Sequence, residues 1–249
     1  MYSFISKIRY SEVDQNWDLT VKAVIDYFQD CATFQSDALG LGQEHILETG
    51  RAWLLAAWEI ELLAPLPHFA EEIRVGTWAT PLKGLMSGRN FVICAAEDER
   101  GVRPLVRANS SWFLFDAKKG RPVRPAEDDY RPYAEQAERD GDMPLDMPPM
   151  ERHIRVRDEG EAATPVIVTT AHIDTNHHVN NAEYVAMAQA TLPDADVHLL
   201  RRLDVQYSSA AKLGDTIYPH VHRIENGYVV TLDDAPEGGK PYATVRARG

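Results

Sequence analysis

Asp174, Asn176 and His178 stand at alternate positions in Thr169–Gln189, TTAHIDTNHHVNNAEYVAMAQ. A carboxylate, an amide and an imidazole together can accept a proton, donate a hydrogen bond and exchange a proton near neutral pH. That set suits attack of an activated water on a carbonyl group. If the stretch is extended, alternate side chains share one face and reach one substrate together. The elements that must deliver them are readable on either side. Pro165–Thr170 (PVIVTT) is short and β-branched and begins with proline, which predicts a strand. Asn180 or Asn181 supplies an N-cap for a helix over 181–192, and Pro193 stops it. The first turn of such a helix carries free N–H groups and a partial positive charge, so it suits a carbonyl oxygen that becomes negative.

Other chemistries fit the residues less well. His172, His177 and His178 cluster with Asp174, but H-x4-H-H is not a usual zinc spacing, and there is no H-E-x-x-H or paired cysteine. No metal and no cofactor are expected. There is no G-x-S-x-G for a serine nucleophile, and Cys31 and Cys94 sit in apolar contexts that favour buried thiols. Asp174 and Asn176 could also be plain turn and capping residues. His178 and the following Val179-Asn180-Asn181 weigh against that as their whole role.

Asp174-x-Asn176-x-His178-Val179-Asn180-Asn181 resembles the signature of the acyl-carrier-protein thioesterases of plants and bacteria, and GTWAT (76–80) and SSWFLFDAKKGRPVR (110–124) resemble strings of the same family. The resemblance implies an α+β fold of two tandem hotdogs, each a long helix wrapped by an antiparallel sheet. It also implies hydrolysis of the thioester of a fatty acyl group on acyl carrier protein, with Asp174, Asn176 and His178 as the catalytic residues. In plant relatives a further acid follows a Y-x-x motif. Here Tyr207-Ser208-Ser209 is followed by Ala210. If the enzyme works without that acid, position 210 should lie beside a polar cavity rather than in a dry core. Three alternatives remain at this level: an acyl-CoA thioesterase, a hotdog enoyl-thioester hydratase, whose histidine falls one residue later, and a non-catalytic acyl-binding protein.

The rest of the chain agrees with a duplicated α+β molecule. Shifted by 160 residues, Asp14 falls on Asp174, Asn16 on Asn176 and Leu19 on Val179, while Asp18 stands where His178 stands. A repeat that keeps its order points to duplication, and a first copy without the imidazole reads as non-catalytic. Thr20 can cap a helix from Val21 to about Leu39, Gly42–Gly50 reads as a loop, and Ala52–Leu63 ends as a strand. Strands follow in both halves. The acidic, proline-rich stretch Glu127–Glu151 suits an inter-domain linker with one short helix. The division expected is a substrate-binding hotdog over 1–130, a linker over 131–150 and a catalytic hotdog over 151–249.

A length of 249 residues allows one large domain or two smaller ones. With 44% hydrophobic residues, no apolar run approaches a membrane span. The amino-terminal MYSFISKIRYSE lacks a signal-type apolar core, so a cytoplasmic protein is expected. A net charge of −12 argues against nucleic acid. An acidic carrier protein would need a local basic patch, for which Lys118, Lys119, Arg121, Arg124 and Arg201-Arg202 are the dense candidates. A homodimer is compatible with all of this.

Overall fold

Thr20 starts the longest helix: its side chain accepts a hydrogen bond from the backbone of Ala23 at 3.2 Å, and the helix α1 runs over Val21–Ala38. Val24, Ile25 and Phe28 recur at helical spacing and are fully buried, each contributing roughly 1.5–3 kcal/mol. In the computed structural model, which describes residues 1–197 and 199–249, the chain forms two compact units. The first comprises 1–56 and 62–149, the second 57–61 and 150–249.

The first unit contains β1 (Tyr2–Lys7), α1, α2 (Gln43–Thr49), β2 (Arg51–Leu62), β3 (Glu72–Lys83), β4 (Met86–Ala95), β5 (Val106–Asp116), β6 (Arg121–Val123) and α3 (Glu127–Asp140). Its strands run antiparallel in the order β1-β3-β4-β5-β2, with β6 on β5. α1 packs on β3 and β1, and Phe28 meets Phe91 of β4 with ring centroids 5.0 Å apart. The 42–50 loop expected from its glycines is instead α2, because the intervening QEHILET is rich in helix formers and Gly50, at φ 72°, ends it. The linker helix is longer than expected. α3 has fourteen residues and packs on β3, with the Tyr133 hydroxyl donating to Ser36 Oγ at 2.7 Å.

The second unit contains β7 (Glu161–Ala162), β8 (Val166–Ile167), α4 (Asn181–Gln189), α5 (Asp194–Val197), β9 (Arg202–Tyr207), β10 (Thr216–Ile224), β11 (Gly227–Asp233) and β12 (Pro241–Arg248). The order β10-β11-β12-β9 is antiparallel, with β7 and β8 on the free edge of β10 and the Ala57–Glu61 part of β2 on β9. α4 packs on β11 and β12. Each unit is thus a helix against an antiparallel sheet with the same strand order, which is the tandem hotdog.

Two expectations change here. The strand expected over 165–170 shrinks to Val166–Ile167: Pro165 has no N–H to give, and Thr170–His172 turns as a 3-10 segment. The helix expected to reach 192 has nine residues and ends at Gln189. No helix among the described residues is long and apolar enough to cross a membrane.

Candidate active site

The motif is a tight turn rather than an extended strand. Ile173 and Val179 form an isolated antiparallel bridge, and the Asp174 N–H donates to the His178 carbonyl at 2.8 Å. Between them His177 takes a left-handed φ of 61°. The Asp174 carboxylate organises the turn: its Oδ1 accepts from the backbone of Asn176 at 2.8 Å and of His178 at 3.4 Å. The expected sharing of one strand face is therefore wrong. What brings Asp174, Asn176 and His178 together is the habit of aspartate of hydrogen-bonding to backbone two residues on.

The helix start also differs from expectation. Asn180 is the N-cap, and it takes the Ala182 N–H with Oδ1 at 2.9 Å and the Glu183 N–H with its carbonyl at 3.0 Å. Those two amides are engaged, so they do not form the expected oxyanion donors. The Asn176 side-chain amide is held only loosely, 3.4 Å from Asp174 Oδ2, and is exposed. Among the described residues the half-buried His178 imidazole makes no hydrogen bond or ion pair, which leaves it to solvent or substrate. His177 is exposed, and His172 Nδ1 accepts from the Thr169 backbone at 3.1 Å. No three potential metal ligands lie together among the described residues.

Two tyrosines hold this turn in place, and the sequence reading passed over their role. The Ala211 carbonyl accepts from the Val179 N–H at 3.0 Å, while the Ala211 N–H donates to the Tyr184 hydroxyl of α4 at 2.8 Å. Tyr207, at the end of β9, donates to the Asn181 carbonyl at 3.0 Å, and the two rings lie 6.0 Å apart. Burial pushes the Tyr184 phenol up to about 12, against the opposing pull of the Ala211 N–H. Aromatic residues one turn into a helix and at a strand end were the available signal. Ala210 is exposed, one residue before this anchor, so it is not core packing.

The first unit contains the same turn. Asp14 N–H donates to the Asp18 carbonyl at 2.9 Å, Asp14 Oδ1 accepts from the backbone of Asn16 at 2.8 Å and of Asp18 at 3.1 Å, and Trp17 takes a φ of 69°. The flanking bridge, Val13 with Leu19, is present as well. At the place of His178 stands Asp18, whose Oδ1 lies 3.5 Å from His68 Nε2.

Family models describe both halves: the acyl-ACP thioesterase N-terminal domain matches residues 2–133 and the acyl-ACP thioesterase C-terminal domain matches residues 156–248. The chain belongs to the acyl-ACP thioesterase family. It is a thioester hydrolase whose reaction is release of the fatty acyl group from acyl carrier protein. Solved structures agree in fold. An acyl-ACP thioesterase from Bacteroides thetaiotaomicron superposes with a TM-score of 0.83 at 22% identity, covering 99% of this chain and 96% of that one. A 12:0-ACP thioesterase from Umbellularia californica gives 0.78 at 16% identity, covering 99% and 96%. No curated protein sequence matches the chain.

Proposed function

We propose that His178 is the general base of the hydrolysis, that Asn176 holds the thioester carbonyl, and that Asp174 positions the imidazole without touching the substrate. One observation carries this reading. Residues 13–19 and 173–179 share one backbone turn, and an imidazole replaces a carboxylate only in the second. The aspartate and asparagine common to both copies build the turn, and the imidazole found in one supports chemistry; Asn176 joins it because its exposed amide, held only loosely by Asp174, stands on the same turn. On the same ground the amino-terminal hotdog, expected over 1–130, binds substrate without hydrolysing it; 131–150, part of which packs on that hotdog as α3, leads to the catalytic hotdog over 151–249.

In this scheme acyl carrier protein presents the acyl thioester at the turn. A nitrogen of His178 takes a proton from water, and the water oxygen bonds to the thioester carbon. Negative charge gathers on the carbonyl oxygen, where the Asn176 amide donates a hydrogen bond. The carbon–sulfur bond then breaks. The imidazolium returns its proton to the departing thiolate, leaving a free fatty acid and the carrier thiol. No carboxylate besides Asp174 takes part, in keeping with Ala210.

The test is His178→Ala assayed beside Asp18→Asn. Turnover should fall by at least ~100-fold in the first, the usual contribution of a general base, and stay within a few fold of wild type in the second. Near-normal turnover of folded His178→Ala would remove the imidazole from the mechanism. Loss of hydrolysis in folded Asp18→Asn would make the first unit catalytic.

A further inference from the structure

The second unit holds a half-open cleft of about 770 Å³, within the roughly 300–1,000 Å³ of small-molecule pockets. None of the turn residues 173–180 lines it. Its walls are one flank of α4, with the half-buried Ala186 and the buried Met187, the exposed Ala190 just past its end, and the edge segment from β7 to β8. The sequence explains the opening. In the first unit Phe4 packs against Tyr27 and Phe34, with ring centroids 6.2 and 5.4 Å away. The residues 160 positions after Phe4 and Tyr27 are Thr164 and Met187, so aromatic filling gives way to smaller or more flexible side chains. The edge also buckles. Ile217 pairs with Val166 but His220 pairs with Ala162, so the three residues 163–165 face the two residues 218 and 219. That is a bulge, and it bends the edge segment.

The mouth carries a cation. The exposed Arg223 guanidinium lies 5.5 Å from the Tyr228 ring centroid, and no carboxylate pairs with it among the described residues. Glu161 and Glu183 also line the cleft, without reaching Arg223. An alkyl trough ending at an unpaired, aromatic-backed guanidinium matches an amphiphile with an anionic head.

We propose that this cleft is a second site that binds a free long-chain carboxylic acid, its carboxylate on Arg223 and its chain along α4. The hydrolase produces that class of molecule, and to that extent the proposal rests on the hydrolytic reading. The site would hold product away from the catalytic turn and give product inhibition a component that is not competitive with the acyl-carrier substrate.

The experiment measures dodecanoate binding by calorimetry and dodecanoate inhibition of hydrolysis, in wild type, Arg223→Ala and Ala190→Phe. Both changes lie on the surface. Each variant should weaken dodecanoate binding by about tenfold or more, the scale of a lost charge-assisted pair or a filled trough. Each should lose the non-competitive component and keep its initial rate. Dodecanol should bind wild type and Arg223→Ala alike. Binding and inhibition unchanged in both variants would overturn the proposal, and so would absence of dodecanoate binding to wild type. A protein that binds dodecanoate in this Arg223-dependent way but hydrolyses no thioester would instead sink the hydrolytic reading and leave the cleft assignment standing.

Discussion

At Asp174 the side chain's charge and its shape can be separated. Its Oδ1 takes two backbone N–H groups, and the same oxygen does so at Asp14, where no imidazole follows. Asparagine keeps an oxygen acceptor at that position and alanine does not. Asp174→Asn should therefore retain a measurable share of kcat, while Asp174→Ala should approach the loss seen for His178→Ala, roughly 100-fold or more. Equal, complete loss in both would mean that the carboxylate itself handles a proton. Ala210 gives a second residue-level test. Because it is exposed, Ala210→Glu should change Tm little, as surface substitutions usually stay within about 0.5 kcal/mol. A large drop in Tm would require that position to be packed.

Among the elements, α4 carries in Tyr184 a buried phenol whose hydroxyl accepts from the Ala211 N–H beyond β9. Burial raises the Tyr184 pKa from the ordinary phenol range to about 12. A group raised on folding stabilises the fold fully below its unfolded value, and that stabilisation is lost as pH rises through the folded value. Thermal stability should accordingly decline between about pH 10 and 12, and Tyr184→Phe should flatten that part of the profile. An unchanged profile would place the alkaline loss elsewhere; Tyr27 and Cys31, both raised to about 12 by burial, and Cys94, raised to about 11, are other sources. The elements themselves were largely legible in the sequence. Thr20 and Asn180 were visible as caps, and α1 announced itself by Val24, Ile25 and Phe28 at helical spacing. What escaped was decided by backbone hydrogen bonding. Alternation of Asp174, Asn176 and His178 looks like a strand face unless the aspartate's own turn is foreseen, and the helix-start amides look free until Asn180 is seen to occupy two of them.

For the whole molecule the balance of charge sets how an acidic carrier protein approaches. The net charge is −12, and much of the basic character picked out in the sequence is already committed. Arg202 reaches Glu59, Glu61 and Asp204 at 3.1–3.2 Å, Lys119 pairs with Asp116 at 3.1 Å, and Lys118 donates to the Glu48 carbonyl. Two net-negative proteins repel over distances that salt shortens to about 10 Å at 0.1 M. The KM for acyl-carrier substrate should thus fall as salt rises, while KM for a small uncharged thioester stays level. A KM that rises with salt would instead point to steering by a local patch, with the exposed Arg121 and Arg124 the first residues to neutralise.

The broken margin of the second unit has a bearing on how the protein behaves in a crowded solution. An uninterrupted outer strand offers a row of unpaired peptide groups to which another chain can add by strand pairing, the first step towards aggregation. β7 and β8 supply only two residues each, separated by a bend containing Pro165, which has no N–H to offer. The same irregularity that opens a cleft beside α4 therefore denies a neighbouring polypeptide a straight template.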